Sequence, residues 1–158
     1  MTGPSAARVT WLEVGEEGGT LALTRLAVGE HLLLGGDNMD LALSYHAAQA
    51  LAGKGTKLDP AQMLQLTYAC RNAKETLFTS PAKAGAPVTV LGRGSKVIGG
   101  TIKTELQRET LNRVLLDGFF PHCAPTDFPA RGRRIGLTEI GLPYTADAAI
   151  TRHLARFL

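Results

Sequence analysis

The chain has 158 residues, of which 44% are apolar, 20% charged and 6% aromatic, the balance of an ordinary globular domain whose core must be aliphatic. No stretch approaches the ~18 apolar residues of a membrane span, and the start MTGPSAARVT lacks the apolar middle of a signal peptide, so no membrane association and a cytoplasmic location are expected. The net charge of +3 is mild, and the one dense basic run, Arg131 to Arg134, has no interleaved aromatics, since Phe128 and Tyr144 stand apart from it; it reads as a solvated loop, and no nucleic-acid partner is expected.

Arg8 to Val14 alternates apolar and polar residues, GEEGG supplies a turn, and Thr20 to Val28 alternates again, which predicts a hairpin. A short third strand, His31 to Leu34, should follow and deliver the chain to Gly35 and Gly36. Asp37 can then cap a helix whose apolar positions Met39, Leu43, Ala47, Ala50 and Leu51 recur at three and four, ending at Gly53. The next helix has a sharper start. Asp59 is its N-cap, Pro60 takes the first helical position and Gln62 completes a capping box. Its buried stripe is Met63, Leu66, Cys70, Ala73 and Leu77, and Pro81 ends it.

After a loop from Pro81 to Pro87, VTVLGRGSKVIGGTIK predicts a second hairpin turning around Gly92 to Ser95. Thr104 with Gln107 reads as another capping box, opening a helix through Leu106, Leu111, Val114 and Leu115 to Gly118 and Pro121. Pro121 to Pro143 shifts to Pro, Gly and Arg and reads as an irregular excursion. Thr145 is then expected to cap a last helix bearing Ile150, Leu154, Phe157 and Leu158. Because that apolar face includes the final residue, with no cap after it, the chain is expected to be cut from something longer. These elements predict a single α+β domain over 1–158: a small, mostly antiparallel sheet of two hairpins packed with three to four helices, with a core over 8–120.

Chemistry-bearing residues are sparse. Cys70 and Cys123 form no C-x-x-C spacing and are expected to be buried free thiols. His31, His46, His122 and His153 are scattered without Cys or acidic neighbours at ligand spacing, and Ser44 and Ser95 lack a nucleophile context, so neither a metal site nor a catalytic set is expected.

Two stretches carry a resemblance. LLLGGDNMDLAL is similar to the DnaK-type heat-shock chaperone motif L-G-G-E-D-F-D, with Asp37, Asn38, Met39 and Asp40 in its last four places. YACRNAKETLFTS is similar to that family's R-A-C-E-R-A-K-R-T-L-S-S, matching at Ala69, Cys70, Ala73, Lys74, Thr76, Leu77 and Ser80. The helix from Thr104 looks like the family's I-T-R-x-x-F-E-x-L helix, more weakly. The chain thus resembles the second lobe of the actin-like ATPase domain of a divergent bacterial member, over about Leu12 to Phe120, with the outer subdomain as its core.

That resemblance implies ATP or ADP with magnesium in a cleft between two lobes, in a stress-response chaperone whose peptide-binding domain lies elsewhere. The family's D-L-G-G-G-T-x-D phosphate loop would precede Arg8 and its G-G-S-x-R would follow Leu158; its first phosphate loop and catalytic lysine belong to the other lobe. The segment is therefore expected to supply the adenosine side, to bind no nucleotide firmly by itself and to hydrolyse nothing alone. A nucleotide-exchange protein or co-chaperone is a compatible partner for the same surface.

On the helix from Asp59, Arg71, Lys74, Glu75 and Phe78 share one face offset from the buried stripe. A guanidinium can stack on a purine and a lysine stem can lie along it. Only Lys74 keeps the family's residue: Arg71 and Glu75 reverse two charges, and Phe78 replaces a small hydroxyl. An Arg71–Glu75 pair at i, i+4 would contribute only about 0.3–0.5 kcal/mol if exposed. Gly35 and Gly36 admit two readings, a backbone approach to phosphate at a helix N-terminus or a tight corner needing positive φ, and Asp37 and Asp40 oppose a direct phosphate grip. The competing reading of the whole is a stand-alone protein-interaction module in which the nucleotide site has decayed.

Overall fold

The computed structural model describes residues 6–92, 100–130 and 147–158. The chain divides into two compact units, one made of Met1–Gly35 with Phe120–Leu158 and the other of Gly36–Phe119. The described residues form two antiparallel two-stranded sheets and four α-helices, an α+β architecture as expected. Among the described residues no helix is long and apolar enough to cross a membrane.

In the first unit, β1 (Thr10–Glu17) pairs with β2 (Thr20–Val28). Glu17 faces Thr20, so the turn is the two residues Gly18 and Gly19, with φ of 61° and 79°. Two successive left-handed residues make the hairpin turn whose twist matches that of the strands, and only glycine adopts both at little cost. Both faces of the ribbon are open: Trp11, Val14, Leu21 and Leu23 are all more than half exposed. The expected third strand is instead a single bridge, in which Ala7 and Leu32 exchange N–H···O bonds of 2.8 and 2.9 Å. Further along, α4 (Ile150–Phe157) starts after Ala149, whose N–H donates to Asp147 Oδ1. Thr151 Oγ1 donates to the Pro121 carbonyl at 2.8 Å. Thr145, the Arg131–Arg134 run and Tyr144 lie outside the described residues.

The second unit is built on two helices, α1 (Gly36–Ala52) and α2 (Pro60–Thr79). The Asp59 capping box forms in both directions: Asp59 Oδ1 accepts from Gln62 N at 2.9 Å, and Asp59 N donates to Gln62 Oε1 at 3.1 Å. Gln62 Nε2 also donates to the Leu91 carbonyl and Gln65 Oε1 accepts from Leu91 N, which ties the helix start to the end of a strand. That strand, β3 (Gly85–Leu91), begins inside the segment expected to be a loop, and pairs with β4 (Thr101–Gln107). Ala86, Val88 and Val90 point inward on alternate positions and meet Leu66, Cys70, Ala73 and Leu77 of α2, all buried. Each fully buried Leu contributes about 1.5–3 kcal/mol.

The capping box expected at Thr104 is not there. Thr104 sits inside β4 opposite Val88, alternating with Ile102 and Leu106 on the inner side of the ribbon. Pairing with β3 outweighs the local capping signal. The helix starts four residues later as α3 (Arg108–Asn112), with no side-chain cap, and continues as a π-helical turn, Arg113–Asp117. Arg108 has a different task. Its Nη2 donates to the Leu77 and Ser80 carbonyls and its Nε to the Lys83 carbonyl, each at 2.8 Å, closing the C-terminal end of α2. Met39 is only half buried and Ala50 is exposed, whereas Asn38, Asp40 and Ser44 are buried among the α1 positions that face inward.

A charged cluster where the two motifs meet

Asp40 stands one turn into α1, four residues ahead of Ser44, so it falls on the same three-and-four spacing as the buried Leu43, Ala47 and Leu51. Its side chain is 2% exposed, and both oxygens are met by cations from α2: Lys74 Nζ at 2.6 Å from Oδ1 and Arg71 Nε at 2.7 Å from Oδ2. Arg71 Nη2 also bonds Asp37 Oδ1. A buried carboxylate without partners would be very costly, so the two cations are what permit Asp40 at this position. One turn further along, Thr67 Oγ1 donates to Ser44 Oγ at 3.1 Å, and Ser44 Oγ donates to the Leu41 carbonyl. The α1–α2 contact is therefore a polar seam flanked by leucines.

Two titrations follow from this seam. The Asp40 carboxylate, by its hydrogen bond and then its charge, raises the Arg71 pKa above its ordinary value. Burial, reinforced by the Asp40 charge, pushes the Cys70 thiol up to about 12. Cys70 is thus an inert core thiol. Cys123, expected to be buried as well, is free and only half buried.

The four charges of the cluster, Asp37, Asp40, Arg71 and Lys74, sum to zero. It offers no uncompensated positive charge to a phosphate. Lys74, expected to lie along a ligand, has a side chain only 12% exposed because its ammonium is drawn onto Asp40. Arg71 pairs with Asp37 and Asp40 and not with Glu75. Glu75 and Phe78 remain on the outside of α2, with Phe78 55% exposed.

Gly36 opens α1 beside this cluster, and a Cβ there would sit 3.8 Å from Lys74 Nζ, ordinary contact distance. The left-handed glycines among the described residues are Gly18, Gly19 and Gly55, so neither Gly35 nor Gly36 turns a corner through positive φ. Gly36 is the first residue of a helix, where the first N–H groups have no intrahelical partner, and Asp37 places a carboxylate against that positive end. Structure thus brings Gly36, Arg71 and Lys74 together and leaves Glu75 and Phe78 on the adjoining open face. Among the described residues there is no group of His, Cys, Asp and Glu arranged to hold a metal ion.

The inward position of Asp40 escaped sequence reasoning because a charged residue was not counted on an apolar stripe. Its spacing of three and four from Leu43 and Ser44 was the available signal. No protein-family model matches the chain, and no match appears among curated proteins.

Proposed function

We propose that this chain is part of the second lobe of the nucleotide-binding domain of a DnaK-like chaperone, where α2 closes the adenosine side of an ATP cleft and performs no hydrolysis alone. The observation carrying this reading is the meeting of the two motifs: Asp37 and Asp40, from the first, pair with Arg71 and Lys74, from the second, beside Gly36. The open ribbon β1–β2 supports it too, because a two-stranded hairpin with both faces in water is marginal until further structure covers it.

The residues present suit the nucleoside and not the phosphates. Phe78 offers an exposed ring and Arg71 a half-exposed guanidinium to a purine, while Glu75 can accept from a ribose hydroxyl. Lys74 acts at one remove, holding Asp40 and through it the orientation of Arg71. Magnesium and the phosphate chain would be held by residues outside those described, and magnesium would supply charge neutralisation on the phosphates.

A second reading has its own support. Because Asp37 and Asp40 already consume Arg71 and Lys74, the chain can instead be a stand-alone protein-interaction module whose nucleotide site has decayed; an exchange factor or co-chaperone as partner of that surface belongs to the first reading. Calorimetry of ATP with magnesium against the full-length protein separates the two. The nucleotide reading expects binding that weakens at least several-fold in Phe78→Ala, whose side chain is 55% exposed; absence of any heat in the unaltered protein refutes it. A D-L-G-G-G-T-x-D motif ahead of this segment in the same reading frame is also expected.

A further inference from the structure

The outer face of α2 carries a pattern that nucleotide contact does not require. Leu64, Tyr68, Arg71, Glu75 and Phe78 recur at four, three, four and three residues, opposite the buried Leu66, Cys70, Ala73 and Leu77. Leu64 and Tyr68 are each 58% exposed and Phe78 is 55% exposed. A helix on a globular protein ordinarily turns a polar face outward, whereas this spacing is that of a coiled-coil seam. In an antiparallel pair centred between Arg71 and Glu75, Leu64 falls opposite position 82, beyond the end of α2, so the facing seam runs from Tyr68 to Phe78, about 15 Å at 1.5 Å per residue or just under three turns of a facing helix.

Charge decides what that helix is. In heptad terms Tyr68 and Glu75 take one seam position and Leu64, Arg71 and Phe78 the other. Packing α2 parallel to a copy of itself sets Arg71 against Arg71 and Glu75 against Glu75, which is repulsive. Antiparallel packing sets Arg71 against the second copy's Glu75 and Tyr68 against the second copy's Phe78, and the twofold axis makes each pair twice. Arg71 engages Asp40 through Nε and Asp37 through Nη2, so Nη1 is the donor left for an outside carboxylate, and what Glu75 of the second copy gains there is a hydrogen bond rather than the pull of an uncompensated charge. Glu75 pairs with no cation among the described residues, and an aromatic pair adds about 0.5–1.5 kcal/mol beyond its buried area.

We propose that two copies of this chain associate through α2, antiparallel, about an axis passing between Arg71 and Glu75. This stands independently of the nucleotide reading; since both occupants claim the same face, the test is run in nucleotide-free buffer.

Sedimentation equilibrium of the 158-residue chain across a concentration series should show the mass rising from 16.8 kDa towards twice that value. Glu75→Arg, which faces Arg71 of the other copy with a like charge, should hold the chain as a monomer at concentrations where the unaltered protein is mostly dimer. Tyr68→Lys should do the same, and adding Phe78→Glu to it should restore the dimer by setting the new lysine against the new glutamate across the axis. All three side chains lie on the outer face, so circular dichroism should be unchanged and confirms that each variant folds. A 16.8 kDa species at every concentration, a dimer indifferent to Glu75→Arg, or a double variant no better than Tyr68→Lys overturns the proposal.

Discussion

Replacing Lys74 by Met removes the cation from Asp40 Oδ1 while keeping an unbranched apolar stem, so the perturbation is almost purely electrostatic. Asp40 is 2% exposed and keeps only the Arg71 Nε bond at 2.7 Å on its other oxygen. Breaking one side of a buried ion pair costs ~3–5 kcal/mol, and the surviving Arg71 bond places this case at the lower end, about 3 kcal/mol. With a urea slope of about 2 kcal/mol/M for a small protein, the unfolding midpoint should fall by ~1.5 M. Adding Asp40→Asn removes the stranded charge and still presents an oxygen to Arg71, and the double variant should regain most of that loss. Urea titration followed by circular dichroism measures both. A single variant shifted by less than about 0.5 M, or a double variant no more stable than the single, would refute the claim that Lys74 is there to neutralise Asp40.

Thiol labelling at pH 8 should modify Cys123 quickly and Cys70 only on unfolding; two fast thiols would contradict the burial assigned to Cys70. Because its folded pKa is raised from 9.0 to about 12, the contribution of Cys70 to stability is intact below pH 9 and is lost as pH climbs towards 12. Arg108→Ala strips the Leu77 and Ser80 carbonyls at the end of α2, and the Lys83 carbonyl beyond it, of a charged donor and should cost about 2 kcal/mol, a Tm lower by ~6 °C. Burial alone would raise the Asp147 carboxyl, but the Ala130 and Ala149 N–H groups and Arg152 outweigh it and hold it below its ordinary value of 3.8. Its contribution is therefore present above that value and lost as pH falls through the folded pKa, and Asp147→Asn should flatten the stability profile in that acid range. Gly36→Ala should be tolerated, since its Cβ meets nothing closer than 3.8 Å, whereas Gly19→Val, at φ 79°, should cost at least ~1 kcal/mol.

What the sequence disclosed depended on whether the deciding interaction was local. The start of α2 was legible because Asp59, Pro60 and Gln62 satisfy their own backbone groups within one turn. The β1–β2 hairpin was legible for the same reason, with Gly18 and Gly19 supplying its turn. Thr104 misled because its capping box is a local signal too, but pairing of β4 with β3 spans 16 residues between Val88 and Thr104 and wins. Arg108 shows no sequence signature at all, since the carbonyls that it caps come from residues about 30 positions earlier. At the candidate site, helical periodicity grouped Arg71, Lys74, Glu75 and Phe78 on one face, whereas the structure keeps Glu75 and Phe78 outside and draws the Lys74 ammonium inward onto Asp40. That Arg71 and Lys74 turn towards α1 could not be read from periodicity, because it needs Asp40 to be recognised as an inward residue, a contact 31 positions away for Arg71.

The most direct measurement is a nitrogen-15 NMR titration, with ATP and magnesium, of the Tyr68→Lys chain, held monomeric so that the outer face of α2 is open, which registers even millimolar binding residue by residue. The account predicts saturating shifts concentrated at Gly36, Arg71, Glu75 and Phe78, with Phe78→Ala reducing them. Unmoved amides at these positions at saturating nucleotide, or shifts confined to the β1–β2 ribbon, would contradict it.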